Sequence, residues 1–167
     1  MAYQSSVTTN QGFGVIGDLV WDGPQRAEPA ILNSTSAANN VIGRAFSRKT
    51  TSNLNEVEAG GTGAFAGILF NSKSYASYGT AAGGTLAATI VLANETQVEL
   101  LKMGTVLVSL TTAAAVGNDV HYVQADGTLL AVAAGTSPAV GNSAVPNCKV
   151  VRLDTSGAGL AVIQLTN

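Results

Sequence analysis

Val120-His121-Tyr122-Val123-Gln124 and Thr128-Leu129-Leu130-Ala131-Val132-Ala133 stand on either side of Ala125-Asp126-Gly127. An Asp-Gly pair between two apolar runs is the strongest short-range hairpin signal. A tight turn that follows strand twist needs positive φ, and glycine supplies it without steric cost. The stretch therefore predicts two short strands and a turn.

Downstream the pattern repeats. Residues 149–153 and 160–165 flank Asp154-Thr155-Ser156-Gly157-Ala158-Gly159, a second predicted hairpin. In its last arm Leu160, Val162 and Gln164 share one face, and Ala161, Ile163 and Leu165 the other. Both faces are largely apolar, as in a strand buried on both sides. Upstream, Thr105-Val106-Leu107-Val108-Ser109-Leu110 is a strand by composition. Residues 95–103 alternate well enough to be read as strand rather than helix.

Earlier still, short apolar runs at 15–21, 27–32 and 41–50 are punctuated by turn residues, Asp22-Gly23-Pro24 among them. Gly60-Gly61-Thr62-Gly63 reads as a flexible joint into a strand at 64–70 that continues through Ser72 and Ser74. Ala81-Ala82-Gly83-Gly84 then precedes a run at 85–93. Short strands at this spacing predict an all-β fold, a small barrel or sandwich with little or no helix. Residues 1–14 are polar and unpatterned, which predicts an extended N-terminal arm on a single β domain at 15–167.

Charge narrows the function. Eight basic and ten acidic residues leave −2, and charged residues are 11% of the chain, against about 25% in an average domain. No basic face for nucleic acid can be built from so few cations. Arg44, Arg48 and Lys49 are the nearest thing to a cluster and read as a solvated strand edge or a partner contact. Ala, Gly, Ser and Thr make up about 45% of the residues. Small side chains let surfaces approach closely and lose little entropy on packing, which suits burial against further copies or a lattice. Two uncharged stretches, Ser74 to Asn94 and Gly127 to Cys148, reach membrane-spanning length but are interrupted by Gly, Ser, Thr or Pro. The start lacks the order of a signal peptide, so synthesis without export and no membrane contact are expected.

The raw material for catalysis is scarce. His121 is the only histidine and Cys148 the only cysteine. The first reads as a surface or hydrogen-bonded strand histidine, the second as a small buried hydrophobe. They could act as nucleophile and base only if the fold joined them. One His and one Cys exclude an ordinary zinc site. Asp18 with Asp22 spans a turn, and Glu56 with Glu58 and Glu95 with Glu99 read as solvated faces. Gly60-Gly61-Thr62-Gly63 lacks the Lys-Ser/Thr of a phosphate loop. Gly12-Phe13-Gly14 with Gly17 precedes a strand where a dinucleotide fold needs a helix. Aromatics at 5% are too few for a glycan or single-strand platform, with only Trp21, Tyr3, Tyr75, Tyr78 and Tyr122 to build one. The expectation is no enzyme: no catalytic, cofactor-binding or metal-ligating residue.

Several pieces of the chain resemble the cement (decoration) proteins of bacteriophage heads. They are 12–20 (Gly-Phe-Gly-Val-Ile-Gly-Asp-Leu-Val), 41–46 (Val-Ile-Gly-Arg-Ala-Phe), 63–69 (Gly-Ala-Phe-Ala-Gly-Ile-Leu), 117–122 (Gly-Asn-Asp-Val-His-Tyr) and the ending 157–165. The resemblance implies a structural protein on the capsid exterior of the virion, made in the host cytoplasm. It would stabilise the lattice of the phage major capsid protein, with an extended terminus and β core riveting neighbouring capsomers. It also implies self-association, a homotrimer in preference to a dimer. The alternatives are another phage structural subunit (tail tube or fibre base) or a receptor- or glycan-binding β module.

Overall fold

The computed structural model describes residues 14–20, 23–51, 55–71, 91–154 and 157–166. Among the described residues nine strands carry the fold: β1 (Arg26–Leu32), β2 (Ala45–Arg48), β3 (Glu56–Ala59), β4 (Phe65–Leu69), β5 (Gln97–Leu110), β6 (Asp119–Val123), β7 (Leu129–Val132), β8 (Asn142–Leu153) and β9 (Gly159–Leu165). The only helical element among the described residues is a three-residue 3-10 turn, Ala37–Asn39. The all-β expectation holds.

The strands close on themselves twice. β1-β3-β2-β4-β5 returns to its start because β1 also pairs with β5, and β5-β7-β6-β8-β9 does so because β9 pairs with β5. Closure removes free sheet edges, which a charge-poor chain has few other means to protect. β5 is the shared wall. Its first half pairs with β1 (Ala30↔Val98) and β4 (Ile68↔Leu101), its second half with β9 (Val106↔Ile163). At 14 residues it spans about 46 Å at strand rise, long enough to serve two small barrels in succession.

Packing follows that division. Val98 and Leu100 of β5 join Phe46, Val57, Leu69 and Leu32 in one apolar cluster. Leu101, Val106, Val108 and Leu110 belong to a second cluster with Tyr122, Leu129 and Ile163. The clustered residues of β5 are even-numbered in both halves, with Leu101 the exception, and Gly104 stands between the halves at φ +132°. The second cluster also takes in Ala45 and Ile68 from the first ring, and Phe65 of β4 lies with its ring centroid 6.1 Å from that of Tyr122. The two barrels share apolar contacts as well as a strand.

A turn locks them together. The β6–β7 hairpin places Gly127 at φ +77°, where an added Cβ would lie 2.3 Å from the Ala45 carbonyl oxygen and 2.8 Å from the Gly60 nitrogen. Main-chain bonds seal the joint: Ala45 donates to Gly127 (2.9 Å), Gly60 to Ala45 (2.9 Å) and Gly61 to Gln124 (2.7 Å). Arg44 reaches across to the Asp126 carbonyl at 3.1 Å, with the Asp126 carboxylate 3.9 Å away. Gly60-Gly61-Thr62-Gly63, expected as a flexible joint, is instead a packed corner. A Cβ on Gly63 would fall 1.9 Å from the Arg48 carbonyl oxygen.

Other expectations are trimmed. The run at 15–21 is no strand. Ile16-Gly17 turns, only Leu19 makes a bridge (to Val106), and Trp21 lies outside the described residues. The run meets the edge of β5 that β9 leaves open, through Gly17 N–H to Leu107 (2.7 Å), Leu107 N–H to Asp18 (2.9 Å) and Val20 N–H to Thr105 (3.3 Å), but the turn at Ile16-Gly17, with Gly17 at φ +89°, keeps that contact to one bridge. The strand within 41–50 shrinks to Ala45–Arg48 because Ile42-Gly43 turns. By contrast 97–103 is strand as expected, after a turn in which Glu95 takes φ +66°, and β5 runs without interruption into the predicted strand at 105–110. The expected arm at 1–14 lies outside the described residues except for Gly14. So do Ser72, Ser74 and most of the 85–93 run.

Candidate functional site

The fold brings the two scarce reactive residues onto paired strands, yet separates them. Asp119 of β6 is in register with Lys149 of β8, which puts His121 and Cys148 near the same pair. Cys148 lies in the apolar cluster with Val120 and Tyr122, and strand alternation directs His121 to the opposite face. Both are 2% exposed. Burial pushes the Cys148 thiol far above its ordinary range, with the Asp119 charge adding to the effect. A thiol so held is protonated and unreactive. Cys148 is thus the small buried hydrophobe expected. His121 is not at the surface. β7 and β8 flank β6, so the connection 133–141 has to cross β6, which accounts for a buried histidine on that strand's outer face. No group of three or more His, Cys, Asp or Glu that could hold a metal ion exists among the described residues.

The remaining sequence candidates resolve into internal contacts. Arg44 donates to Asn39 and Asp126. Arg48 donates to Glu28 (3.1 Å) and to Asn55, and Lys49 to the Asn33 carbonyl (3.0 Å). Glu28 also takes Lys102 at 2.9 Å. Its carboxyl is held below the usual range, first by the Lys102 hydrogen bond and further by the charges of Lys102, Arg48 and Arg26. Of the three cations expected at a solvated edge or a partner contact, Arg48 and Lys49 therefore bond within the first barrel and Arg44 bonds across the joint to Asp126. Glu95 and Glu99 are exposed, as expected. Glu56 accepts from Asn33 at 2.8 Å. Asp18 accepts from Asn71 at 3.4 Å, and its proposed companion Asp22 lies outside the described residues.

What stands out is a surface. The crossing segment 133–141 (Ala-Ala-Gly-Thr-Ser-Pro-Ala-Val-Gly) is exposed at every position, and Val140 is the most exposed large apolar side chain among the described residues, at 106%. Val116, at 68%, follows it on the loop before β6. The strap is pinned near both ends. Gly135 N–H donates to the Asp119 carboxylate at 2.7 Å, and Gln124 N–H to the Gly141 carbonyl at 2.9 Å. Asp119 is itself held by Lys149 at 2.5 Å. Those two donors, Lys149 first and then the Gly135 amide, keep the Asp119 carboxyl below its ordinary range. Sequence reading missed this surface. Its one signal in the sequence is the uncharged stretch 127–148.

The Asp119 anchor makes the strap acid-sensitive. A carboxyl depressed in the folded protein contributes fully above its unfolded pKa and loses that contribution as pH falls through the folded value. Protection of the Gly135 amide against hydrogen exchange should therefore persist through neutral and mildly acidic pH. It should fall only below the ordinary aspartate range. In Asp119→Ala the same amide should be unprotected at every pH. Unchanged Gly135 protection in that variant would show that the anchor does not hold the strap.

Set beside known proteins, the chain matches the model of the phage structural cement protein family (E217 gp24/Pam3 gp6) over residues 3–166. No curated protein matches it. Its fold is similar to a chain of the structure described as "The capsid of Myoviridae Phage XM1", with a TM-score of 0.61, 17% identity, and coverage of 100% of this chain and 99% of that one. With a match across nearly its whole length, the chain belongs to the phage structural cement protein family, and its role is structural.

Proposed function

We propose that this protein binds the outside of a phage head and stabilises the lattice of the major capsid protein, without turnover, after synthesis in the host cytoplasm. The observation that carries the reading is the family match over residues 3–166. The physical chemistry supports it. Reactive groups are buried, and the cations of the 44–49 cluster are used internally. Contact is therefore mainly apolar and hydrogen-bonded, and many weak copies add up through avidity. Residues 15–167 act as one β domain. The arm, residues 1–14, grips a neighbouring capsomer or copy, and the copies associate as a homotrimer, with a dimer as the alternative.

The test is binding of purified protein to undecorated heads. Screening acts over about 10 Å at 0.1 M salt and weakens exposed charge pairs while sparing apolar burial. Affinity should change little between low salt and about 0.5 M. Deleting residues 2–11 should weaken attachment while leaving the melting temperature nearly unaltered. No binding at all would overturn the reading. A steep salt dependence would move the contact onto charged groups, and charge reversal at Arg48 would locate it.

A further inference from the structure

We infer that the strap 133–141, centred on Val140, is the face that meets the capsid shell, and that its partner is an uncharged, apolar and hydrogen-bonding surface of the shell protein. The inference rests on the capsid-binding reading and specifies its surface.

Charge distribution carries it first. Between Lys102 and Lys149 only Asp119 and Asp126 bear formal charge. Each is paired with a cation from outside that stretch, Asp119 with Lys149 and Asp126 with Arg44. The strap itself carries no charge, and the one ion pair at its edge, Asp119–Lys149, is closed on itself and on the Gly135 amide. A charge on the partner would lose water there and meet no free counter-charge on the strap, which is costly. A neutral partner meets no such penalty.

Preorganisation is the second support. An exposed apolar loop normally has to be ordered on binding, at a cost of about 0.5–1.5 kcal/mol per immobilised side chain. This strap is already fixed by the Gly135–Asp119 and Gln124–Gly141 bonds, by Thr136 N–H to Ala133 (3.1 Å) and by Asn142 N–H to Ala139 (3.0 Å). Its side chains are Ala, Thr, Ser, Pro and Val, with little rotamer freedom to lose. An uncharged strap of small side chains, fixed in place around the exposed Val140, is a surface that a partner can cover with little ordering cost.

The experiment compares Val140→Asp and Val140→Lys with Thr50→Asp, an exposed position on the first barrel. Melting, light scattering and binding to undecorated heads are measured for each. Both Val140 variants should bind at least tenfold more weakly, with melting temperature and mass unchanged, while Thr50→Asp binds like the parent. Equal binding by all three would overturn the inference. Loss in only one of the two Val140 variants would mean a charged partner surface and would also overturn it. A fall in oligomer mass on Val140 substitution would assign the strap to contacts between copies instead. Failure of the unsubstituted protein to bind heads would sink the capsid-binding reading itself.

Discussion

Truncating Tyr122 to alanine should lower stability by about 3–5 kcal/mol, the usual cost of removing a large buried aromatic, and the protein should still unfold in one transition. At roughly 2–4 °C per kcal/mol for a chain of this size, the melting temperature should drop by roughly 6–20 °C. Tyr122 is 1% exposed and sits in the cluster of the second barrel, yet it also meets Phe65 of the first. The substitution therefore removes contacts on both sides of the joint. Phe46, fully buried in the first barrel's own cluster, provides the complement. Phe46→Ala should shift the same single transition by a similar amount. Calorimetry decides the matter. Two separated transitions, each responding to only one of these substitutions, would show that the barrels unfold independently and that a shared β5 does not make residues 15–167 one cooperative unit.

The second large effect concerns a residue with no side chain. Gly127→Ala should cost about 2–4 kcal/mol, well beyond what backbone conformation alone explains. Alanine at φ +77° carries about 1–2 kcal/mol of strain by itself. The new Cβ would in addition press on the Ala45 carbonyl and the Gly60 nitrogen, both main-chain atoms that cannot swing aside. Gly117→Ala and Gly135→Ala are the internal controls. Their φ values, +90° and +80°, are comparable, but nothing lies within 4 Å of an added Cβ at either. Only the strain should remain there. Denaturant midpoints for the three variants separate strain from clash. Equal losses in all three would mean that the turn is not wedged against the first barrel.

Why these two sites matter was only half visible in the chain. Asp126-Gly127 announced a hairpin because the local demand for positive φ selects glycine, and local demands are written in neighbouring residues. The tail 160–165 declared itself in the same way, and Ala161, Val162, Ile163 and Leu165 are buried while Gln164 is exposed. Strand composition at 105–110 and the alternation at 95–103 pointed correctly to β structure. Low charge and small side chains marked a structural protein before any site was sought, because burial without charge is a property of composition.

Everything that depends on which strand meets which was decided by the tertiary structure. Nothing in the sequence of β5 says that one strand would close two rings, since pairing partners lie far apart in the chain and leave no local trace. Residues 15–20 have strand composition but form only a turn at Ile16-Gly17 and one bridge, from Leu19 to Val106 of β5. Arg44, Arg48 and Lys49 read as a solvated strand edge or a partner contact until folding set Asp126, Glu28 and the Asn33 carbonyl within reach. His121 was open to a surface or a hydrogen-bonded place on its strand, and the fold buried it. Sequence determined the all-β class, most of the strands and the hairpin turns, because those follow from short-range sterics and composition. Tertiary structure alone decided closure, the wedged turn and the exposed neutral strap, because each arises from contacts between segments that the chain order keeps apart.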